Sequence, residues 1–194
     1  KDGVILGMPR NLALRILSTV VILPPATVLL ISGGAYFAGL IAVIAGCMAW
    51  EWARIVDGDG SSVVAGLASV GCATVVGLSV IIEPKSSGYS LVVVLVVVFI
   101  AATVLGRPRR AWTVSGCIVA CVPCLAALSI RAGDDATGLL LLIWLIASVV
   151  ATDIGAYIAG KSIGGARLAP RISPNKTWAG LIGGMIASAV VGGL

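Results

Sequence analysis

Charged residues are scarce in this 194-residue sequence, at 11% of the total, and histidine is absent. An ordinary soluble domain carries about 25% charged residues, so this chain lacks the residues for a solvated surface. It is rich instead in hydrophobic residues, which make up 59%, and its mean hydropathy is +1.14. The composition therefore excludes a soluble globular domain and indicates a polytopic membrane protein.

The net charge of +5 does not require a nucleic-acid partner, because lysine and arginine concentrate on the cytoplasmic loops of membrane proteins. We therefore expect no nucleic acid among its partners. The five cysteines lie in apolar runs, which argues against a disulfide framework. Cys117, Cys121 and Cys124 share a helical face, and three thiolates can hold zinc. With no histidine and no evident fourth ligand, packing as small apolar residues is favoured.

Seven apolar runs are long enough to cross a bilayer as helices, which takes about 20 residues each. They cover residues 12–31, 35–52, 63–82, 89–106, 112–130, 137–160 and 178–194. Because barrel strands would be shorter and would alternate in polarity, the sequence predicts an all-α transmembrane helical bundle of about seven helices. Pro24 and Pro25 predict a kink or a break in the first run.

The basic residues divide unevenly between alternate loops. With the amino terminus in the cytoplasm, only Lys85 and Arg131 of the 13 lysines and arginines fall on the outer side. Because positively charged loops stay in the cytoplasm, this split predicts a cytoplasmic amino terminus. It places Asp153 near the cytoplasmic end of the sixth helix, with the loop 161–177 in the cytoplasm.

Both ends of the chain look cut, since it begins at Lys1 and stops at Leu194 inside an apolar run. We therefore expect the amino-terminal and central part of a longer protein. The first run contains Arg15 and no convincing cleavage site, so a removable signal peptide is not predicted. We divide the chain into residues 1–130, with five helices, and residues 131–194, with helix six, the basic loop 161–177 and helix seven.

Small residues recur at every fourth position in two of the runs. The two stripes are Ala65, Ser69, Ala73 and Gly77, and Gly180, Gly184, Ser188 and Gly192. Such stripes allow helix backbones to approach closely. Packing within the chain is the favoured interpretation, and a homodimer is the alternative.

Asp153 ends an otherwise apolar run and opens the stretch "DIGAYIAGK". A carboxylate at membrane depth costs about 2.5–3.5 kcal/mol on insertion scales, so by default it indicates a functional site. On a helix Asp153, Tyr157 and Gly160 share one face. The alternative is a packing carboxylate satisfied by a lysine or a backbone donor. Glu51, between two tryptophans, is either an interfacial residue, which is favoured, or part of the same site.

A glycine-rich basic loop follows, "GKSIGGARLAPRISPNKTWAG", without any acidic residue. Its cations are Lys161, Arg167, Arg171 and Lys176. Its neutral hydrogen-bonding residues are Ser173, Asn175 and Thr177. Ser173 or Thr177 is placed to cap the next helix, and a helix amino terminus surrounded by cations binds phosphate. The order of a Walker loop is missing, and a loop that rests on anionic lipid head groups explains the composition equally well.

The order of these residues resembles the central region of the CDP-diacylglycerol synthase (phosphatidate cytidylyltransferase) family. That family carries D-x-x-A-Y-x-x-G-[KR], followed by L-x-P-x-[IV]-S-P-x-K-T-x-x-G. The matching positions are Asp153, Ala156, Tyr157, Gly160, Lys161, Leu168, Pro170, Ile172, Ser173, Pro174, Lys176, Thr177 and Gly180. Asn175 and Ala179 depart from residues that many members carry. The family's carboxy-terminal motifs, with the aspartates expected as main metal ligands, would lie beyond Leu194.

The resemblance implies an integral enzyme of the bacterial inner (plasma) membrane in phospholipid biosynthesis. This nucleotidyltransferase would make CDP-diacylglycerol and pyrophosphate from CTP and phosphatidic acid, with Mg²⁺, at a site facing the cytoplasm. Asp153, Lys161 and Lys176 would be catalytic, the lysines as phosphate clamps. Asp153 would orient a basic residue, the nucleotide or a metal-bound water, and it is the one candidate metal ligand in the chain. The implied substrate-binding residues are Tyr157, Gly160, Arg167, Arg171, Ser173, Asn175 and Thr177. As it stands, the chain is expected to be incomplete for activity.

Three other functions stay open at this point. A polyprenol or dolichol kinase would also use CTP in a membrane, but it transfers the γ-phosphoryl group, and the S-P-x-K-T element favours the synthase. A transporter with an intramembrane acid predicts inverted repeats or further charges within helices, and the sequence shows neither. A non-catalytic scaffold is the third alternative.

Overall fold

The computed structural model describes residues 4–5, 8–57, 62–79, 110–132 and 136–193. The predicted helix 89–106 lies outside these residues. The chain separates into two compact units, Lys1–Gly133 and Asp134–Leu194. Each unit is described by itself.

The first unit is helical apart from a short antiparallel strand pair, β1 (Val4–Ile5) and β2 (Met8–Pro9). Its described helices are α1 (Arg10–Ser32), α2 (Gly34–Asp57), α3 (Ser62–Leu78) and α4 (Arg110–Arg131). They confirm four predicted runs, although α2 extends beyond its run and α3 stops before the end of its own. The two prolines of the first run lie inside α1 and do not end it, so the predicted alternative of a break is wrong.

The small-residue stripe of α3 packs against α2. A Cβ added to Gly46 of α2 would lie 3.2 Å from the Ser69 hydroxyl oxygen and 3.3 Å from the Ala73 Cβ. Gly77, one further turn along the stripe, faces Ala42 in the same way. This stripe therefore packs within the chain, as the favoured interpretation of the sequence has it.

The three cysteines that share a face of α4 are all buried, and Cys72 of α3 is buried as well. In the described residues no group of three or more histidine, cysteine or acidic residues is arranged to hold a metal ion. The burial of these thiols agrees with a packing role between helices.

Trp52 joins α2 to α4. Its indole nitrogen donates a hydrogen bond to the carbonyl oxygen of Trp112 at 2.8 Å. Its ring lies so close to Gly116 that a Cβ there would collide with the indole. Trp52 therefore makes a specific contact between two helices.

Arg131 at the end of α4 caps the end of α1. Its Nε and Nη2 donate to the carbonyl oxygens of Leu30 at 3.3 Å and Ile31 at 3.0 Å. These carbonyls belong to the last turn of α1, which has no later helical amide to bond them. The chain then turns at Gly33 with φ of +65°, where an added Cβ would lie 2.6 Å from Nη2 of Arg131.

The second unit consists of α5 (Ala136–Ser162), β3 (Arg167–Ala169), β4 (Ser173–Thr177) and α6 (Trp178–Gly192). The two helices confirm the predicted runs 137–160 and 178–194. The structure corrects the predicted loop 161–177, because most of it forms an antiparallel hairpin. Strands this short carry no alternating pattern, and Pro174 argued against a strand; it is tolerated because both strands of a two-stranded sheet are edges.

Three of the described helices are long and apolar enough to cross a membrane. These segments are Gly34–Val56 in α2, Trp112–Arg131 in α4 and Ala136–Ser162, which is α5. The apolar stretches of α1, α3 and α6 are shorter. The protein is therefore an integral membrane protein built mainly of helices.

Candidate functional site

The candidate site lies at one end of a close contact between α5 and α6. A Cβ added to Gly155 would lie 2.7 Å from the carbonyl oxygen of Gly183, and one added to Gly184 would lie 3.0 Å from that of Thr152. Such distances are too short for a side chain, so only glycine allows the two backbones to touch. Gly180 and Gly184 of the predicted stripe are buried here, which confirms packing within the chain.

The face of α5 that meets α6 is also built of small residues. Gly155 and Ala159 are four positions apart, and Gly183 of α6 lies against both. The sequence interpretation missed this pair because it followed small residues only in the runs that begin at residues 63 and 178. A search for small residues at spacing four on α5 would have found it.

Two glycines turn the chain out of α5 into the hairpin. Gly164 and Gly165 have φ of +65° and +90°, a region that residues with a Cβ rarely adopt. In the hairpin, Arg167 pairs with Thr177 and Ala169 with Ser173, with an irregular register between the two pairs. The turn is closed by a hydrogen bond from the Ile172 amide to the Ala169 carbonyl oxygen, at 3.1 Å.

Thr177 ends the hairpin and starts α6. Its hydroxyl oxygen accepts a hydrogen bond from the amide of Gly180 at 3.1 Å, so Thr177 rather than Ser173 is the N-cap. The same oxygen lies 3.2 Å from the position that a Cβ on Gly160 would take. The amide of Trp178 donates to the Ala166 carbonyl oxygen at 3.1 Å. Thr177 therefore joins the start of α6, the end of α5 and the base of the hairpin.

Lys161 and Lys176 are the sequence neighbours of the two residues that meet at this junction. Lys161 follows Gly160 in sequence, Lys176 precedes Thr177, and Gly160 and Thr177 are in contact. Both lysines are exposed. Residues 154–194 include no acidic residue, and the amino-terminal end of a helix carries a partial positive charge. The junction is therefore suited to an anion.

Lys161 is held beside Tyr157 of the preceding helical turn. Its Nζ donates to the phenol oxygen at 3.4 Å and lies 5.6 Å from the centre of the ring. Both side chains are exposed, where a cation–π contact contributes about 0.5–1 kcal/mol. Tyr157 and Lys161 therefore contact each other at the carboxy-terminal end of α5.

Asp153 is exposed, one turn before Tyr157 on α5. Within the described part of the chain, no hydrogen bond or ion pair engages its carboxylate. The alternative of a packing carboxylate satisfied by a lysine or a backbone donor therefore finds no support there.

The polar side chains of the hairpin fall into two groups, one bonded within the hairpin and the others exposed. Arg167 donates from Nη1 to the carbonyl oxygen of Pro174 across the hairpin. Arg171, Asn175 and Lys176 are exposed, and among the described residues their side chains make no hydrogen bond or ion pair. The hairpin therefore presents three polar side chains outward and uses the guanidinium of Arg167 internally.

Asp153 fits a magnesium site only as one member of it. Mg²⁺ is commonly bound by one or two carboxylates together with substrate phosphate oxygens and water. Asp153 is the only acidic residue of α5 and lies two helical turns before Gly160. The second unit thus offers one carboxylate on the helix that leads to the junction.

Glu51 belongs to the first unit. There it lines an open pocket of about 640 Å³ together with Cys47, Trp50, Arg54, Ile55 and Ser69. Its prediction as an interfacial residue or a member of the Asp153 site stays a prediction.

The chain matches the cytidylyltransferase family over residues 13–194. The phosphatidate cytidylyltransferase of Pseudomonas aeruginosa is 31% identical over 88% of this chain and 65% of its own length. That of Brucella suis is 47% identical over 45% of this chain and 32% of its own length. That of Haemophilus influenzae is 45% identical over 30% of this chain and 20% of its own length. The alignments thus span between a fifth and about two thirds of these relatives. No solved structure matches the chain.

Proposed function

The chain belongs to the cytidylyltransferase family, and from this premise we propose that the whole protein is a phosphatidate cytidylyltransferase. It would make CDP-diacylglycerol and pyrophosphate from CTP and phosphatidic acid. One observation carries the proposal: Gly160 and Thr177 meet where α5 leads into α6, each has an exposed lysine as its sequence neighbour, and residues 154–194 include no acidic residue. The relatives that match this chain bear the same enzyme name, which supports the choice of substrates.

The reaction joins two anions. An oxygen of the lipid phosphate attacks the α-phosphorus of CTP, the bond from that phosphorus to the bridging oxygen breaks, and pyrophosphate leaves with the electron pair. Catalysis of such a transfer depends on positioning and on fixed positive charge around the phosphates. In the proposed mechanism Lys161 and Lys176 supply that charge, and the exposed guanidinium of Arg171 adds to it.

Neutral donors complete the proposed phosphate site. The hydroxyl oxygen of Thr177 accepts from the Gly180 amide, which leaves its hydroxyl hydrogen free to donate to a phosphate. The amide of Asn175 is exposed beside Lys176 and can donate as well. Ser173 at the other end of β4 is half-buried and supports the same strand.

We propose Mg²⁺ as the cofactor. When bound, the ion would neutralise charge on the transferring phosphates, and Asp153 would supply one oxygen ligand or hold a water of the ion. The other ligands are proposed to lie outside the described residues. The cations of the loop act as phosphate clamps whether Asp153 binds the ion directly or through a water.

The proposed location is a bacterial inner membrane, with the site facing the cytoplasm. The distribution of basic residues supports this orientation, and CTP would reach the site from that side. The small-residue stripes of α3 and α6 pack against α2 and α5, so a homodimer is not proposed from them.

The direct test uses the full-length protein in lipid vesicles with radiolabelled CTP, phosphatidic acid and Mg²⁺. We expect lipid-linked cytidine and pyrophosphate. Release of CDP with a newly phosphorylated lipid would identify a kinase instead, and failure to form any lipid product would refute an enzyme of this class.

The second test removes one clamp. Lys176→Ala is expected to lower kcat/KM by at least about tenfold and up to about a thousandfold, the range seen when one transition-state donor is lost. Lys85→Ala removes the same charge in a segment that the sequence predicts on the outer side of the membrane, and it is expected to leave the activity intact. If the two variants were equally active at equal expression, the loop would have a role in membrane topology and none in catalysis.

A further inference from the structure

We propose that Arg167 is a positioning residue, which holds β4 so that Asn175 and Lys176 are presented to a phosphate, and that it is not itself a phosphate ligand. The inference rests on the proposed function for the role of Lys176. Its structural part, that Arg167 holds β4 in place, can be tested without any activity.

The path of the Arg167 side chain is the first observation. In the strand pairing Arg167 is opposite Thr177, yet its guanidinium donates to the carbonyl oxygen of Pro174. The side chain therefore runs diagonally along β4 and spans the two residues between these points. Those two residues are Asn175 and Lys176.

The weakness of the strand ladder is the second observation. β3 and β4 share only two aligned pairs, with an irregular register between them, and such an irregularity disrupts ladder hydrogen bonds. Pro174 has no amide hydrogen and cannot donate to β3. At this end β4 is held by the Ala169–Ser173 pair and, in addition, by the bond that the Pro174 carbonyl oxygen accepts from Arg167.

The position of that carbonyl is the third observation. The Pro174 carbonyl and the Asn175 amide belong to one planar peptide unit, so a bond to the carbonyl oxygen orients the backbone that leads into Asn175. At the other end, Thr177 is held by its cap to Gly180 and Trp178 by its bond to Ala166. The two exposed residues are thus fixed from both sides.

Limited proteolysis of the full-length protein in detergent tests the structural part. Trypsin can cleave after Lys176 only when the hairpin opens, and cleavage then follows the population of the open form. Arg167→Ala is expected to raise the rate of this cleavage by about tenfold or more, because a charge-assisted hydrogen bond is lost. Arg171→Ala is the matched control, since the Arg171 side chain makes no bond to β4 in the described residues, and its rate should equal that of the parent.

Arg167→Gln serves as a second variant and is expected to show the same increase, because its shorter neutral side chain cannot span β4. An unchanged cleavage rate in both Arg167 variants would overturn the proposal whether or not the protein makes CDP-diacylglycerol. If the parent protein formed no lipid-linked cytidine, the proposed function would be refuted, and the structural part of this proposal would be unaffected.

A double-mutant cycle tests the link to Lys176. If Arg167 acts through Lys176, Arg167→Ala lowers kcat/KM in the parent protein by at least about tenfold and changes it little in the Lys176→Ala background. A direct phosphate ligand would lower kcat/KM by a similar factor in both backgrounds, and that result would overturn the assignment.

Discussion

Substitution of Gly183 by alanine tests the packing on which the candidate site depends. Gly183 lies in α6 against Ala159 of α5, and an added Cβ would collide with the Ala159 Cβ and lie 2.8 Å from the Gly155 carbonyl oxygen. Carbon atoms in contact are normally about 3.5–4.0 Å apart. One obstacle is backbone, so the conflict is relieved only if the helices move apart.

Gly192→Ala on the same helix is the matched control. A Cβ at Gly192 would lie 3.9 Å from the Cζ2 atom of Trp144, an ordinary contact. Alanine gains about 1 kcal/mol of helix propensity at Gly183, inside α6, and less at Gly192, the last residue of the helix. This gain opposes the packing term at Gly183, which is about 1–3 kcal/mol for an overpacked site, so a lower stability of Gly183→Ala than of Gly192→Ala reports the packing conflict.

Thermal unfolding of the full-length protein in detergent measures this difference. A change of 1 kcal/mol shifts the Tm by about 2–4 °C in a protein of this size, so Gly183→Ala should melt below Gly192→Ala, by up to about 12 °C. Equal melting temperatures would refute the close approach of α5 and α6. Cytidylyltransferase activity should fall in Gly183→Ala as well, because the helices hold Gly160 against Thr177.

Two further predictions concern helix ends. Thr177→Val removes the cap of α6 and should lower the free energy of unfolding, measured by chemical denaturation, by about 0.5–2 kcal/mol. Thr177→Ser keeps the hydroxyl and should retain most of the stability of the parent. An equal loss of stability in the two variants would contradict the cap. Arg131→Met removes the donors to Leu30 and Ile31 at the end of α1 and should destabilise the first unit by about 1–2 kcal/mol. Arg131→Lys, which keeps one charged donor, should lose less, and a methionine variant as stable as the parent would show that these bonds contribute nothing.

The sequence identifies the residues of the candidate site better than it predicts how they are arranged in space. Asp153, Tyr157, Lys161 and Lys176 are identified by an unusual carboxylate and by the order of residues around it. The hairpin that carries Lys176 was not predicted, because its strands are too short for a periodic signal and Pro174 is unfavourable in most strands.

The roles within the loop also needed the structure. From sequence, Arg167 and Arg171 are equivalent cations of one loop. In the structure Arg167 bonds to the Pro174 carbonyl oxygen, whereas Arg171 lies exposed in the turn. Arg167 and Arg171 carry the same side chain, and one contact between residues seven positions apart gives Arg167 a different role from Arg171.

The sequence by itself determined the membrane helices and the family of this protein. Hydropathy is a property of each segment alone, and the cost of burying polar backbone in lipid leaves a long apolar segment few options other than a helix. Tertiary structure alone decided that Thr177 rather than Ser173 caps α6 and that Gly155 meets Gly183. Those outcomes depend on which backbone groups come together in space, and local composition does not specify such contacts.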